Sequence, residues 1–210
     1  GLALVGRDLP LPTELTPDEA RMVIHLAEAG IRRVAVSYAS TTLLDRAAAT
    51  LLAAGCETIG VNTHHLAPQI SDHLAQQDLA DRFLVFFEPE ILGTGGALDG
   101  ARSLLASAPA ILLHNGDVIC DVDLGPLHRA HQASGALATL LLVDCERFNT
   151  VTLAADGAIT DIAQLTGAAV QAGDRRLTYT GIAALDPHLL ADIGPGFSSL
   201  IDPLVRALQD

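Results

Sequence analysis

The sequence predicts an α/β domain: a three-layer sandwich with a mixed, mostly parallel central sheet. Three observations carry this reading. Short apolar runs rich in β-branched and aromatic residues alternate with helix-patterned segments from the N-terminus to about residue 114. Gly30 and Gly55 stand directly behind helical segments, where a left-handed residue ends a helix. Beyond Asp117 the rhythm changes, and Asp156-Gly157 marks a hairpin between two short apolar runs.

In order along the chain, Thr16-Pro17-Asp18-Glu19 supplies an N-cap, a proline at the first helical position and a capping-box glutamate for a helix that stops at Gly30. Val34 to Tyr38 reads as a strand, and Thr42 to Ala54 as a helix closed by Gly55. A strand (Glu57 to Asn62), a helix (Pro68 to Gln77), a strand (Arg82 to Phe87), a helix (Gly96 to Ser107) and an apolar strand (Ala110 to His114) follow. The second half supplies a short helix from Gly125 to Gln132 and a strand from Leu137 to Val143. After it come the hairpin of Val151 to Leu153 with Ile159 to Ile162, a strand from Leu177 to Leu185 and a closing helix from Ile201 to Leu208. No linker or repeat divides the 210 residues, so a single domain is expected.

Composition narrows the function. Half of the residues are apolar, enough for a proper core, yet no apolar run reaches membrane-spanning length. The start has neither a basic region nor a long enough apolar stretch for a secretory signal, and a cytoplasmic protein is expected. A formal charge of −13 repels the phosphates of nucleic acid, which excludes that partner class. Cys56, Cys120 and Cys145 lie far apart and form no C-x-x-C pair, so neither a disulfide framework nor a zinc site is indicated. All 12 basic residues are arginines.

In open α/β sheets the ligand site lies beyond the carboxyl ends of the strands. Three such places stand out. Glu88 to Leu98 contains Gly93-Thr94-Gly95-Gly96, a glycine-rich turn entering a helix, where backbone N–H groups can approach a base or phosphate; a plain strand-to-helix turn has the same signature. Asn115-Gly116-Asp117 ends a buried strand and offers a carboxylate suited to a divalent cation, although these are also ordinary turn residues. Asp121 and Asp123 form a D-x-D pair, but Asp123 equally suits the N-cap region of the helix near Gly125. Asn62-Thr63-His64-His65 ends a third strand, and adjacent histidines rarely address one ion.

Taken in order, TTLLDRAAATLLAAGCETIGVNTHHLAPQISDHL, EPEILGTGGAL and ILLHNGDVICDVDLGPLHRAHQASGALATLLL resemble successive blocks of the sugar-1-phosphate nucleotidyltransferase family. Its N-acetylmuramate 1-phosphate uridylyltransferase-like and mannose-1-phosphate guanylyltransferase-like members are nearest in pattern. NTVTLAADGAITDI, YTGIAALDPHLL and FSSLIDPLVRAL extend the likeness to about residues 41–208, leaving residues 1–40 unassigned. The resemblance implies a GT-A-type, Rossmann-like fold, a nucleoside triphosphate and a sugar 1-phosphate as substrates, pyrophosphate as product and Mg2+ as cofactor. It implies Asp117 as the metal-binding aspartate and Gly93, Thr94, Gly95 and Gly96 as the nucleobase loop. Asn115 and Gly116 then line the same ledge, Glu90 touches base or ribose, and Asn62, Thr180 and Gly181 lie toward the sugar.

Two departures qualify that picture. Val34 to Tyr38 runs through Ala39-Ser40-Thr41 into the next helix without the family's G-x-G-T-R loop or its P-K-P lysine, and the sequence ends at Asp210, before a W-x-D-(I/V)-G-T segment. Arg32 and Arg33 precede the strand, at the end opposite the site. The departures imply impaired or absent transfer. A nucleotidyltransferase and a nonenzymatic nucleotide- or sugar-phosphate-binding domain are the two functional readings.

Overall fold

The structure, a computed structural model, describes residues 42–209. The expected helix ending at Gly30, the strand Val34 to Tyr38 and the arginines between them lie outside the described residues.

Helix α1 (Leu43–Ala53) starts on a capping box, with Asp45 N–H donating to Thr42 Oγ1 at 3.1 Å and Thr42 N–H to Asp45 Oδ2 at 2.7 Å. Gly55, at φ +97°, turns the chain into β1 (Ile59–Thr63). Helix α2 (Ala67–Ala75) leads through a 3-10 turn to β2 (Phe83–Phe87), parallel to β1 with Ile59 opposite Phe83 and Thr63 opposite Phe87. His73 on α2 lies 2.6 Å from the Asp45 carboxylate on α1, tying the two helices together.

Helix α3 (Gly93–Gly100) and the single turn α4 (Arg102–Leu105) precede β3 (Ile111–His114). The helix expected from Gly96 to Ser107 therefore starts three residues earlier and is broken at Ala101. Gly93 to Gly96 form its first turn and are not a loop ahead of it. Helix α5 (Gly125–Ser134) ends on Gly135 at φ +63°, and β4 (Ala138–Val143) follows. The Asp156-Gly157 hairpin joins β5 (Val151–Leu153) to β6 (Ile159–Ile162), with Gly157 at φ +89° and Ala154 N–H bonded to Ala158 O at 2.8 Å. Strand β7 (Arg175–Leu185) and helix α6 (Ile201–Gln209) complete the described chain.

The α/β class holds, and the strand pairing is mixed. β1 and β2 form a parallel pair, while β7 is antiparallel to β3, β4 and β5. Strand β7 is the axis of the second sheet, with Ile182, Ala183, Ala184 and Leu185 all buried. Its successive side chains point to opposite faces. Ala183 and Leu185 join Ile111, Leu140, Leu98 of α3 and Leu204 of α6 in one core. Ile182 joins Ile59, Val61, Leu51 of α1 and Leu74 of α2 in the other. Two helix layers thus cover the two faces of the sheet, the three-layer arrangement expected from the alternation. No helix among the described residues is long and apolar enough to cross a membrane.

Candidate functional site

The first cluster forms where β1 and β2 end together. Because the two strands are parallel and in register, Asn62 and Glu88 emerge side by side, and Asn62 Nδ2 donates to Glu88 Oε1 at 3.2 Å. The second carboxylate oxygen of Glu88 accepts the Leu92 N–H at 3.2 Å, immediately before the glycine-rich turn. His64 Nδ1 donates to the Glu88 carbonyl at 2.8 Å, and Glu88 N–H donates to Thr63 O at 2.7 Å. Glu88 is 6% exposed, so this buried carboxylate is the hub between strand end and turn. Glu90, the glutamate the sequence singles out, is exposed. The signal that distinguishes them is position: Glu88 directly follows the apolar run, whereas Glu90 lies beyond Pro89.

The glycines are shaped by a segment distant in sequence. Gly95 N–H donates to Ser198 O at 3.0 Å, and Ser198 N–H donates to Leu92 O at 2.9 Å. A Cβ on Gly93 would stand 2.6 Å from Ser198 O, one on Gly95 2.5 Å from Ser198 Oγ, and one on Gly96 2.6 Å from Gly196 O. Each distance is too short for a side chain. At Gly93 and Gly96 the 196–198 segment approaches backbone to backbone, with Leu92 Cβ equally close to Gly96, whereas Gly95 first meets the Ser198 side chain and then its carbonyl at 3.0 Å. Thr94 is half-buried between them.

The second cluster lies where β3 ends against a bulge in β7. Leu140 of β4 pairs with Ala183, but Leu142 pairs with Tyr179, so β7 carries extra residues around Thr180 and Gly181. Gly181 sits at φ +83°, and its carbonyl accepts the Asn115 N–H at 3.1 Å. A Cβ there would stand 2.8 Å from Asn115 Cγ. Asn115 O accepts from Val118 N–H at 3.2 Å and from His114 Nδ1 at 2.8 Å, closing the Asn-Gly-Asp turn on itself. Burial holds the His114 imidazole below its ordinary pKa, against the opposing pull of the Asn115 carbonyl and the Asp117 carboxylate. Thr180 turns inward, its hydroxyl donating to Leu141 O at 2.9 Å. Gly116 is exposed with open space around it, so its glycine is not sterically required.

Asp117 is half-buried at this strand end, and its carboxylate accepts no hydrogen bond from the described residues. Asp123 instead accepts the Gly125 N–H at 2.8 Å, and with Asp121 it lines a cleft of about 410 Å³ between α1 and the segment 120–124. The D-x-D pair thus serves a helix start and a neighbouring cleft. Among the described residues no group of three or more His, Cys, Asp or Glu side chains converges as a metal cage. The two clusters are each internally bonded, and no hydrogen bond among the described residues joins one to the other.

Comparison with known proteins gives the geometry its context. Residues 29–162 match the family model "Nucleotidyl transferase". The chain is 30% identical over 130 residues to the mannose-1-phosphate guanylyltransferase catalytic subunit beta of Drosophila pseudoobscura pseudoobscura, covering 59% of this chain and 35% of that protein. It is 26% identical over 104 residues to a putative mannose-1-phosphate guanyltransferase of Sulfolobus acidocaldarius, covering 50% of this chain and 29% of that one. The chain therefore spans about a third of the length of these relatives. Among solved structures, HddC from Yersinia pseudotuberculosis superposes with a TM-score of 0.62 at 20% identity, over 79% of this chain and 71% of that chain. HddC was also solved in complex with GMP-PN. A putative glucose-1-phosphate thymidylyltransferase from Bacillus anthracis superposes at 0.58, with 16% identity over 72% of this chain and 61% of that one. The fold is GT-A-like, and with the family model matching well over half of its residues, the chain belongs to the nucleotidyl transferase family.

Proposed function

We propose that this chain binds a nucleoside triphosphate and a sugar 1-phosphate, and that the chemistry it is built around is nucleotidyl transfer. In that reaction a phosphate oxygen of the sugar 1-phosphate attacks the α-phosphorus of the triphosphate. The bond to the β-phosphate oxygen breaks and pyrophosphate leaves. Such chemistry is mostly positioning and charge neutralisation. The observation that carries the reading is the Asn115-Gly116-Asp117 turn, fixed on the Gly181 bulge and carrying a carboxylate that accepts no hydrogen bond from the described residues. Strand bulges of this kind re-aim side chains beside functional sites.

Mg2+ fits Asp117 as a single protein ligand, since magnesium commonly takes one or two carboxylates and completes its shell with water and substrate phosphate oxygens. When bound it would supply charge neutralisation for the phosphates. Asn62, held on Glu88, and Gly181, beside Asn115, would face the sugar, and the first turn of α3 would receive the nucleobase.

A second reading, a nucleotide-binding domain without turnover, is favoured by the charge distribution. The 210 residues contain no lysine and carry a formal charge of −13, so phosphate must be offset by metal or arginine alone. Pyrophosphate release from a panel of nucleoside triphosphates and sugar 1-phosphates, measured beside equilibrium binding, separates the two. Release that Asp117→Asn abolishes supports transfer; Mg2+-dependent binding without release supports the second reading. Binding of no nucleotide at all would overturn both.

A further inference from the structure

Phe197 is 77% exposed, the most exposed of the large apolar side chains among the described residues. Its backbone neighbourhood is nevertheless fixed. Ser198 is clamped by two main-chain bonds, to Leu92 O at 2.9 Å and from Gly95 N–H at 3.0 Å. The ring itself reaches the turn, with Cε2 3.4 Å from where a Gly93 Cβ would stand. An aromatic ring is thus held in solvent beside the first turn of α3. In that turn Gly95 N–H is taken by Ser198, while the N–H groups of Gly93 and Thr94 donate to no described residue. The first N–H groups of a helix lack intrahelical acceptors and need partners from outside.

A flat ligand with two apolar faces and a hydrogen-bonding edge matches this pairing of a ring with adjacent donors that no described residue takes. We propose that Phe197 is the base-stacking residue of the nucleotide site. Its ring packs against the face of the nucleobase, and the Gly93 and Thr94 N–H groups address the acceptor atoms on the base's edge. The inference rests on the functional reading above and deepens it. Stacking tolerates any base because every base has a π-face, so Phe197 contributes affinity, and the choice between bases falls to edge contacts.

The test is calorimetric titration of the full chain, as wild type, Phe197→Ala, Phe197→Leu and Phe197→Trp, with Mg·GTP, Mg·UTP and inorganic tripolyphosphate. Phe197→Ala and Phe197→Leu should each weaken both nucleotides by about tenfold, Phe197→Trp should retain them, and tripolyphosphate affinity should stay unchanged in all three. Because the side chain is exposed, unfolding midpoints should match the wild type. Equal nucleotide affinity in wild type and Phe197→Ala would overturn the stacking role while leaving the site reading intact. So would an equal loss of tripolyphosphate, which would show displacement of the segment and not loss of a base contact. A wild-type chain that binds neither nucleotide would overturn the site reading and this inference with it.

Discussion

Gly181 is the seat of Asn115. The glycine's positive φ of +83° turns its carbonyl to accept the Asn115 N–H at 3.1 Å, and the space a Cβ would fill is occupied by the Asn115 amide. One residue of β7 therefore sets both the main chain and the side chain of the turn that carries Asp117. Gly181→Ala should lose stability twice, through the left-handed backbone, at roughly 1–3 kcal/mol, and through collision with the amide. Chemical denaturation measures the sum, and Mg2+-dependent nucleotide binding should fall with it. A variant as stable as the wild type would show that Asn115 is not seated this way.

The glycines of the α3 turn should separate by what they touch. Gly95→Ala drives a methyl toward Ser198, and Gly93→Ala adds positive-φ strain at +72° to a contact with Ser198 O. Each should cost about 1–3 kcal/mol, the ordinary range for overpacking or backbone strain. Gly116→Ala meets open space and should stay within about 0.5 kcal/mol of the wild type. Thermal or urea unfolding of the three variants distinguishes a steric requirement from a general preference for glycine in turns.

Glu88 holds the first cluster by accepting from Asn62 and from Leu92 N–H. Glu88→Ala removes the acceptor of the half-buried Leu92 N–H and of the exposed Asn62 amide, a loss of about 0.5–1.5 kcal/mol for a hydrogen bond that water can partly replace. The same substitution should speed amide exchange at Leu92 more than at Ile182, in the middle of β7. Uniform acceleration across the chain would instead mean that Glu88 contributes only global stability.

Stability should also depend on pH through the buried histidines. His114 is held below its ordinary pKa mainly by burial, and so is His131, against the opposing charge of Asp186. The unfolded chain then binds protons more readily than the folded one as pH falls through the histidine range. The stabilisation is complete above about pH 7 and declines as pH falls below the ordinary histidine pKa of about 6.5. The lowered carboxylates Asp45, Asp161 and Asp186 act in the same direction but only near and below about pH 4, so the two windows separate. His131→Asn, whose amide stands where the imidazole Nδ1 does and cannot titrate, keeps a partner for Thr139 Oγ1, 3.0 Å from His131 Nδ1, and should flatten the decline below the ordinary histidine pKa of about 6.5. An identical slope in the variant would assign the pH dependence elsewhere.

What the sequence determined by itself is local. Apolar periodicity located the described strands and nearly all the helices to within a few residues, because side-chain alternation and the helical repeat are properties of neighbours along the chain. Asp156-Gly157 specified its hairpin for the same reason, through a backbone geometry that few residue pairs adopt. The ordered blocks from Thr41 onward also carried the family. Tertiary structure decided what those residues are for. Gly93 to Gly96 are open on sequence alone to a ligand loop or a plain turn, and the tertiary structure adds a steric requirement that neither reading contains, since Ser198 and Gly196, about a hundred positions away, lie where side chains on Gly93, Gly95 and Gly96 would stand. Glu88 rather than Glu90 became the hub because the parallel pairing of β1 with β2 delivers Asn62 beside it. Gly181 gained its role from a bulge created by mismatched registers of β4 and β7. Each of these depends on which distant backbones approach one another. That is set by the packing of strands and layers as a whole, and a repeat of two or 3.6 residues carries no record of it.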